Sequence, residues 1–182
     1  MKFYKKIYFI TFLILFSGCA IREPKPDPST EYEVYKPPVR EPEIDPEIRQ
    51  QVLRILETVQ NLSQQGSLNY LGQNTMNEAV MIMDMGKKTS PVLGRELRKN
   101  FNWKYRYWLV DILGYIEDRN NIIPLIEIIE NENENLKVRL RACESLQELG
   151  FKESAEQLKI SRNIVENEKV KTKIDETISS IR

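Results

Sequence analysis

Residues 102–129, NWKYRYWLVDILGYIEDRNNIIPLIEII, decide the fold, because their pattern of polar and apolar positions returns twice later in the chain. The copies begin at Asn135 and Asn167, which follow Asn102 by 33 and then 32 residues. The recurring positions are Asn102, Tyr105, Arg106, Leu109, Leu113 and Ile116, then Asn135, Val138, Arg139, Ala142, Leu146 and Leu149, and finally Asn167, Val170, Lys171, Ile174, Ile178 and Ile181. A weaker copy lies at residues 79–97. This period is typical of helical solenoids, in which stacked helix pairs cover one another's apolar faces.

Each repeat is predicted to be a hairpin of two helices. The asparagine at its start is expected to cap the first helix, since its side-chain oxygen can accept a free backbone N–H. Leu109 and its counterparts are expected to face the neighbouring repeat, and Leu113 and its counterparts to form the core. The second helix carries its own apolar stripe, which comprises Ile122, Ile123, Leu125, Ile126, Ile128 and Ile129 in one repeat and Ala155, Leu158 and Ile160 in the next. The sequence therefore predicts an all-α fold, a short α-solenoid.

The stretches YRYWLVDILGYIEDRNNIIPLIEII and VRLRACESLQELGFKESAEQLKI resemble HEAT repeats, particularly the short bacterial type also found in phycobilisome lyases. The matching positions are Tyr105-Arg106, Leu113-Gly114, Ile116, Asp118 and Pro124-Leu125 in one repeat, and Val138-Arg139, Ala142, Leu146, Leu149-Gly150 and Leu158 in the next. The resemblance covers residues 74–182 and implies a HEAT-like solenoid there. Because one scaffold can carry many functions, the resemblance indicates a fold and gives no ground for a lyase activity.

Three helices are predicted before the first strong repeat. Asp45-Pro46 is a typical helix start, and an apolar stripe continues from there to a stop at Gly66. The stripe comprises Ile48, Val52, Ile55, Leu56, Val59 and Leu62. Residues 46–73 are therefore assigned to an N-terminal helix that serves as a cap or a linker. Thr75-Met76-Asn77-Glu78 matches a capping box for a helix that ends near Gly86, and Ser90-Pro91 opens a third helix.

The first nineteen residues, MKFYKKIYFITFLILFSGC, have the pattern of a targeting segment. Three lysines precede an apolar run at residues 7–16, and small residues lead to Cys19. The run is about half of the roughly 20 residues that a membrane-spanning helix needs. The segment resembles the lipobox of bacterial lipoproteins. This resemblance implies that residues 1–18 are a signal peptide and that Cys19 carries lipid, through which the chain is anchored to a membrane.

Residues 19–45 are predicted to be the lipidated cysteine and a disordered, proline-rich tether. Seven of the nine prolines lie between Pro24 and Pro46, mixed with charged residues, and such a composition favours an extended spacer. Ala20, rather than an aspartate, follows Cys19, and in this the chain resembles lipoproteins that are sent to the outer membrane. The chain is therefore expected to be lipid-anchored in the bacterial cell envelope, at the outer membrane, with its periplasmic or surface face left open.

Composition argues against several classes of function. Removing Lys2, Lys5 and Lys6 with the signal segment leaves 24 basic residues against 27 acidic ones, so nucleic acid is not a predicted partner. The chain has no histidine, the commonest general base and transition-metal ligand, and we predict no catalytic residue, metal site or cofactor. With Cys19 lipidated, Cys143 has no disulfide partner. It is expected to be a buried core thiol, the alternative being a reactive one.

An aromatic cluster at residues 101–115 supplies the first candidates for partner binding. Trp103 and Tyr107 are predicted to form an exposed patch, since aromatic side chains contribute much of the binding energy at interfaces. Trp108 and Tyr115 are predicted to be a buried pair.

Basic residues at one repeat position supply the second candidates. Arg106, Arg139 and Lys171 share that position, and Arg106 and Arg139 are candidate contacts for an anionic partner. The structural alternative is that each side chain ties adjacent repeats together through acidic residues.

These patterns predict a membrane-anchored, non-enzymatic scaffold or adaptor that binds a protein partner. One alternative is an enzyme, or an enzyme accessory, that acts on an envelope polymer or cofactor through carboxylates in the solenoid groove. A second alternative is a structural spacer in an envelope complex. A deep pocket with two converging carboxylates of raised pKa would favour the enzyme, whereas an open groove would favour binding.

Overall fold

The computed structural model describes residues 44–68, 73–99 and 101–181, and within these ranges the chain forms eight α-helices and no strand. They are α1 Pro46–Gln64, α2 Met76–Met85, α3 Ser90–Leu97, α4 Trp103–Tyr115, α5 Ile122–Glu130, α6 Leu136–Leu149, α7 Lys152–Ile164 and α8 Glu168–Ser180. Short 3-10 turns at Gln73–Thr75, Gly86–Thr89 and Arg119–Asn121 precede α2, α3 and α5. The predicted all-α fold is confirmed. Cys19, the signal segment and the tether up to residue 43 lie outside the described residues.

The helix predicted from Asp45-Pro46 is present as α1. Asp45 Oδ1 accepts a hydrogen bond from the Glu47 backbone N–H at 2.8 Å, and Pro46 occupies the first turn, where no backbone N–H is needed. Gly66, at φ 72°, follows the helix end in the left-handed region that favours glycine. Helix α1 packs against α2, α3 and α4 of its own chain.

The predicted asparagine caps are present at the start of α4, α6 and α8. Asn102, Asn135 and Asn167 each accept a backbone N–H from two residues further along, at 2.9, 3.0 and 3.0 Å. Their ψ angles are 138°, 130° and 116°, the extended conformation that places the side chain over the helix end. The repeat therefore fixes where each first helix begins.

The capping box predicted at Thr75 is wrong, although α2 begins at Met76 and ends at Met85, next to the predicted stop at Gly86. Thr75 makes no side-chain capping hydrogen bond. Its ψ angle is 22°, because the residue closes the 3-10 turn Gln73–Thr75, whereas the asparagine caps have extended backbones. A capping residue typically has an extended backbone, and Thr75 does not.

The helices from α4 onward pack in two rows. The first helices follow one another, with α4 against α6 and α6 against α8, while α5 packs against α6 and α7, and α7 against α8. The predicted core positions Leu109, Leu113, Ala142, Leu146 and Ile174 are fully buried. Ile178 is half-buried against them. Each repeat therefore supplies apolar side chains to a core that continues through its neighbours.

The prediction of burial is wrong for two residues, Tyr115 and Ile160. Trp108 is buried, but Tyr115 at the end of α4 is 55% exposed, with the Arg141 guanidinium carbon 5.9 Å from the centre of its ring. Ile160 is also exposed, because it lies on a different side of α7 from the buried Ala155 and Leu158. Apolar residues at nearly helical spacing therefore include some that face solvent.

Hydroxyl groups join the first helices at a second set of equivalent positions. Ser145 Oγ in α6 donates to the Val110 carbonyl in α4 at 2.8 Å, and Thr177 Oγ1 in α8 donates to the Cys143 carbonyl in α6 at 3.5 Å. Both hydroxyl residues lie ten positions after their asparagine cap. Helices α4 and α6 approach so closely beside Ser145 that a Cβ on Gly114 would lie 2.8 Å from Ser145 Cβ. Glycine is therefore required at this contact.

Candidate functional site

Arg106 lies in the second turn of α4 and is buried. Its Nη1 donates to the carbonyls of Leu97 at 2.7 Å and Lys99 at 2.6 Å, just where α3 ends. Its Nε donates to Glu134 Oε2 at 2.6 Å, in the loop between α5 and α6. One guanidinium therefore joins the end of α3, the start of α4 and the next loop, and it satisfies carbonyls that the helix end leaves free.

Arg139 repeats this arrangement one hairpin later. Its side chain is 2% exposed, and its Nε donates to the Ile129 carbonyl at 2.9 Å, near the end of α5. Its two terminal nitrogens donate to Glu132 at 2.6 and 2.8 Å, and Glu132 also accepts the Glu166 backbone N–H at 2.9 Å. These hydrogen bonds lower the pKa of Glu132 to about 2, so the carboxylate stays ionised.

The structural alternative therefore describes the contacts that Arg106 and Arg139 make. Both guanidinium groups form hydrogen bonds within the chain. They therefore hold the surrounding surface in place. Lys171, at the third equivalent position, pairs with Glu168 of its own helix at 2.8 Å.

A groove opens beside Arg106, between the loop that follows α3 and the loop that follows α5. Its volume is about 490 Å³, and its lining residues are Arg98, Phe101, Trp103, Arg106, Asn131, Asn133, Glu134 and Asn135. The structure therefore brings two predicted site residues, Trp103 and Arg106, to one place. It does not bring Tyr107 or Arg139 into this lining. We call this surface the Trp103 groove.

The Trp103 groove is lined by aromatic rings and by side-chain amide groups. Trp103 is half-buried, and Lys137 Nζ lies 5.4 Å from the centre of its ring. Phe101 packs edge-on against buried Tyr105, with ring centres 5.1 Å apart. Asn131 and Asn135 use their side-chain oxygens for nearby backbone N–H groups, and within the described residues their NH₂ groups have no acceptor. These amides can donate to the carbonyls of a bound chain.

No motif in the sequence predicts the Trp103 groove or a binding role for the loop 131–135. Its asparagines line the groove together with Trp103, which lies about thirty residues earlier, and only the stacking of two hairpins brings them together. The usable signal was the repeat itself, since equivalent loops of successive hairpins are expected to lie side by side.

A second cleft, of about 470 Å³, lies where α1 begins. Its lining residues are Ile44, Asp45, Ile48, Lys87, Lys88, Pro91, Asp118 and Asn120. Both of its carboxylates cap backbone N–H groups, Asp45 that of Glu47 at 2.8 Å and Asp118 that of Asn120 at 3.0 Å. The acidic residues of this cleft therefore have structural roles.

Ion pairs between first helices also occupy equivalent positions. Arg141 in α6 contacts Asp111 in α4 at 2.6 Å, and Lys173 in α8 contacts Glu144 in α6 at 3.1 Å. Arg141 also pairs with Glu148 of its own helix at 2.8 Å. These pairs connect successive repeats, and the repeat pattern does not predict them because the two partners occupy different repeat positions.

Cys143 is a core thiol, as expected. It is fully buried in α6, and burial raises its pKa to about 12. A thiol with this pKa is almost entirely protonated at neutral pH, and the thiolate is the reactive form.

Within the described ranges, acidic and cysteine side chains form no group of three or more suited to hold a metal ion. None of the helices in these ranges combines the length and the apolar character that crossing a membrane requires. No protein-family model matches the sequence, and no curated protein matches it either.

Proposed function

We propose that this chain is a membrane-anchored, non-enzymatic scaffold of the bacterial cell envelope that binds a protein partner. The observation that carries the proposal is the Trp103 groove, in which an aromatic ring and amide donors lie between two successive inter-hairpin loops. Buried Arg106 holds those loops together, because it donates hydrogen bonds to Lys99 in one loop and to Glu134 in the other. A surface whose walls are fixed before binding loses little conformational freedom when it binds.

The stacked hairpins from α2 to α8 are proposed to form a HEAT-like solenoid. This proposal is supported by the two rows of helices, by caps at equivalent positions and by hydroxyl contacts and ion pairs that recur between neighbouring first helices. Solenoids of this kind offer extended surfaces to protein partners.

The partner is proposed to present an extended peptide segment to the Trp103 groove. A chain without internal hydrogen bonds exposes backbone carbonyls that Asn131 and Asn135 can bind, while an apolar side chain can pack on Trp103. The ion pairs Arg106–Glu134 and Arg98–Glu127 leave this region without a large excess of either charge. Recognition is therefore expected to depend on ring contact and hydrogen bonds more than on charge.

The pKa values and ion pairs of the carboxylates favour a scaffold over the enzymatic alternative. The pKa values of Glu132 and Glu168 are lowered, through hydrogen bonds from Arg139 and Lys171. Glu144, Glu148 and Asp111 are engaged by Arg141. A general acid at neutral pH needs the opposite shift, a raised pKa in a converging pair. The spacer alternative, in turn, gives no reason for a pre-formed groove.

The variant Trp103→Ala tests this function. Losing a central aromatic side chain is expected to weaken partner recovery by about tenfold or more, the usual cost for a binding hot spot. Tyr115→Ala is the matched control, since Tyr115 is an exposed aromatic residue of the same helix outside the groove. The measurement is quantitative mass spectrometry of proteins cross-linked to the chain in cells. Equal recovery with both variants would contradict the proposal.

A further inference from the structure

Helix α2 exposes three large apolar side chains, more than any other helix in the described part of the chain. Met76, Val80 and Met81 are 57%, 43% and 49% exposed, and four of the chain's five methionines lie in α2. By contrast, the exposed residues of α8 are all polar, namely Glu168, Lys169, Thr172, Asp175, Glu176, Ser179 and Ser180. The exposed side of α2 is therefore the unusual feature.

The exposed side chains of α2 occupy one continuous side of the helix. At about 100° per residue, the exposed residues Met76, Val80, Asp84, Asn77 and Met81 fall within an arc of about 140°. Ala79 and Ile82, which are buried, lie on the opposite side. We call this arc the α2 face. Methionine is flexible and polarisable, so a methionine-rich surface can adapt to the apolar side of a partner.

Two acidic residues give the α2 face a charge. Asp84 is exposed within the arc, and half-buried Glu78 lies beside it, about 60° beyond Met81 around the helix. Neither carboxylate has an ion-pair or hydrogen-bond partner in the part of the chain that the structure describes, and α2 contains no lysine or arginine. Lys87 and Lys88 follow α2 and line the cleft at the start of α1. Apolar side chains with unpaired acids are repelled by an anionic membrane surface and attract a basic partner.

We propose that the α2 face is a second docking surface, whose occupant is a basic amphipathic helix of a partner protein. Its apolar side would pack on Met76, Val80 and Met81, and a lysine or arginine would pair with Asp84. This mode of binding is common where an amphipathic helix lies against an apolar surface. The inference extends the proposed scaffold function to another surface and does not depend on the Trp103 groove.

The test uses the full chain in detergent and a labelled 18-residue peptide of leucine and lysine with helical spacing. We expect the double variant Val80→Gln/Met81→Gln to weaken peptide binding at least tenfold, measured by fluorescence anisotropy. Asp84→Asn is expected to weaken binding severalfold and to reduce its dependence on salt. The matched control is Ile160→Gln/Ile164→Gln, which alters two exposed apolar residues of α7 and is expected to leave binding unchanged. A leucine and glutamate peptide is expected to bind at least tenfold more weakly.

Several outcomes would overturn this inference. Equal peptide affinity for the α2 and α7 double variants would do so, as would equal affinity of the chain for the basic and acidic peptides. Self-association of the chain, or binding of the chain to anionic vesicles, that Val80→Gln/Met81→Gln abolishes would also do so. Trp103→Ala is expected to retain peptide binding in full. Failure of the α2 face can therefore be distinguished from failure of the groove.

Discussion

Replacing Arg139 with alanine is expected to lower the free energy of unfolding by about 2–4 kcal/mol. The substitution leaves the Ile129 carbonyl at the end of α5 without its donor, and a buried unsatisfied acceptor costs about 1–3 kcal/mol. It also removes a side chain that is 2% exposed, and the resulting cavity adds to the loss. Glu132 would lose two of its hydrogen bonds, and its side chain would be less well positioned to accept the Glu166 backbone N–H. Urea unfolding followed by circular dichroism measures the change.

Lys171→Ala is the control for Arg139→Ala, because both residues occupy the same repeat position. Lys171 pairs with an exposed glutamate one turn away, and such pairs contribute less than about 1 kcal/mol. If Arg139→Ala cost no more than Lys171→Ala, the assignment of Arg139 as the residue that joins two hairpins would be wrong.

The variant Leu146→Ala is expected to cost about 2–5 kcal/mol, the range for truncating a buried leucine. Leu146 is fully buried in α6, the helix that packs against both α4 and α8, so the cavity would lie between three repeats. The same unfolding measurement applies. Ile164→Ala, at an exposed position of α7, is expected to change stability by less than about 0.5 kcal/mol. A loss below about half a kcal/mol for Leu146→Ala would show that the repeat register is incorrect.

Residues whose role depends on their own helix could be predicted from the sequence. The caps at Asn102, Asn135 and Asn167 could be predicted because asparagine is strongly preferred at the position just before a helix. Leu109 and Ala142 are buried because helical spacing puts them on the same side as the rest of their stripe. These local rules were sufficient for the all-α fold.

Errors arose where a neighbouring element decides the outcome. Thr75 has the residue type of a cap, but the preceding turn sets its backbone angles. Tyr115 has the spacing of a core residue but lies at the last turn of α4, near Arg141 of another repeat. The environments of such residues depend on contacts that a single helical period does not contain.

The candidate site depends still more on contacts between repeats. From the sequence, Trp103 could be predicted as a binding residue, and Arg106 as either a partner contact or a link between repeats. The pairing of Arg106 with Glu134 could not be predicted. That pair is separated by 28 residues, and its formation requires α4 to lie beside the loop before α6. The groove therefore follows from the stacking of hairpins rather than from any one motif.

The proposal that this scaffold acts at a membrane depends on Cys19, and metabolic labelling with palmitate in a bacterial host tests it most directly. We predict that the chain incorporates label, that Cys143→Ala retains it and that Cys19→Ser loses it, since Cys143 is buried in α6. Mass spectrometry of the N-terminal peptide would then show a lipidated cysteine at position 19 with residues 1–18 removed. An unlabelled wild-type chain, or label retained by Cys19→Ser, would contradict the anchored scaffold.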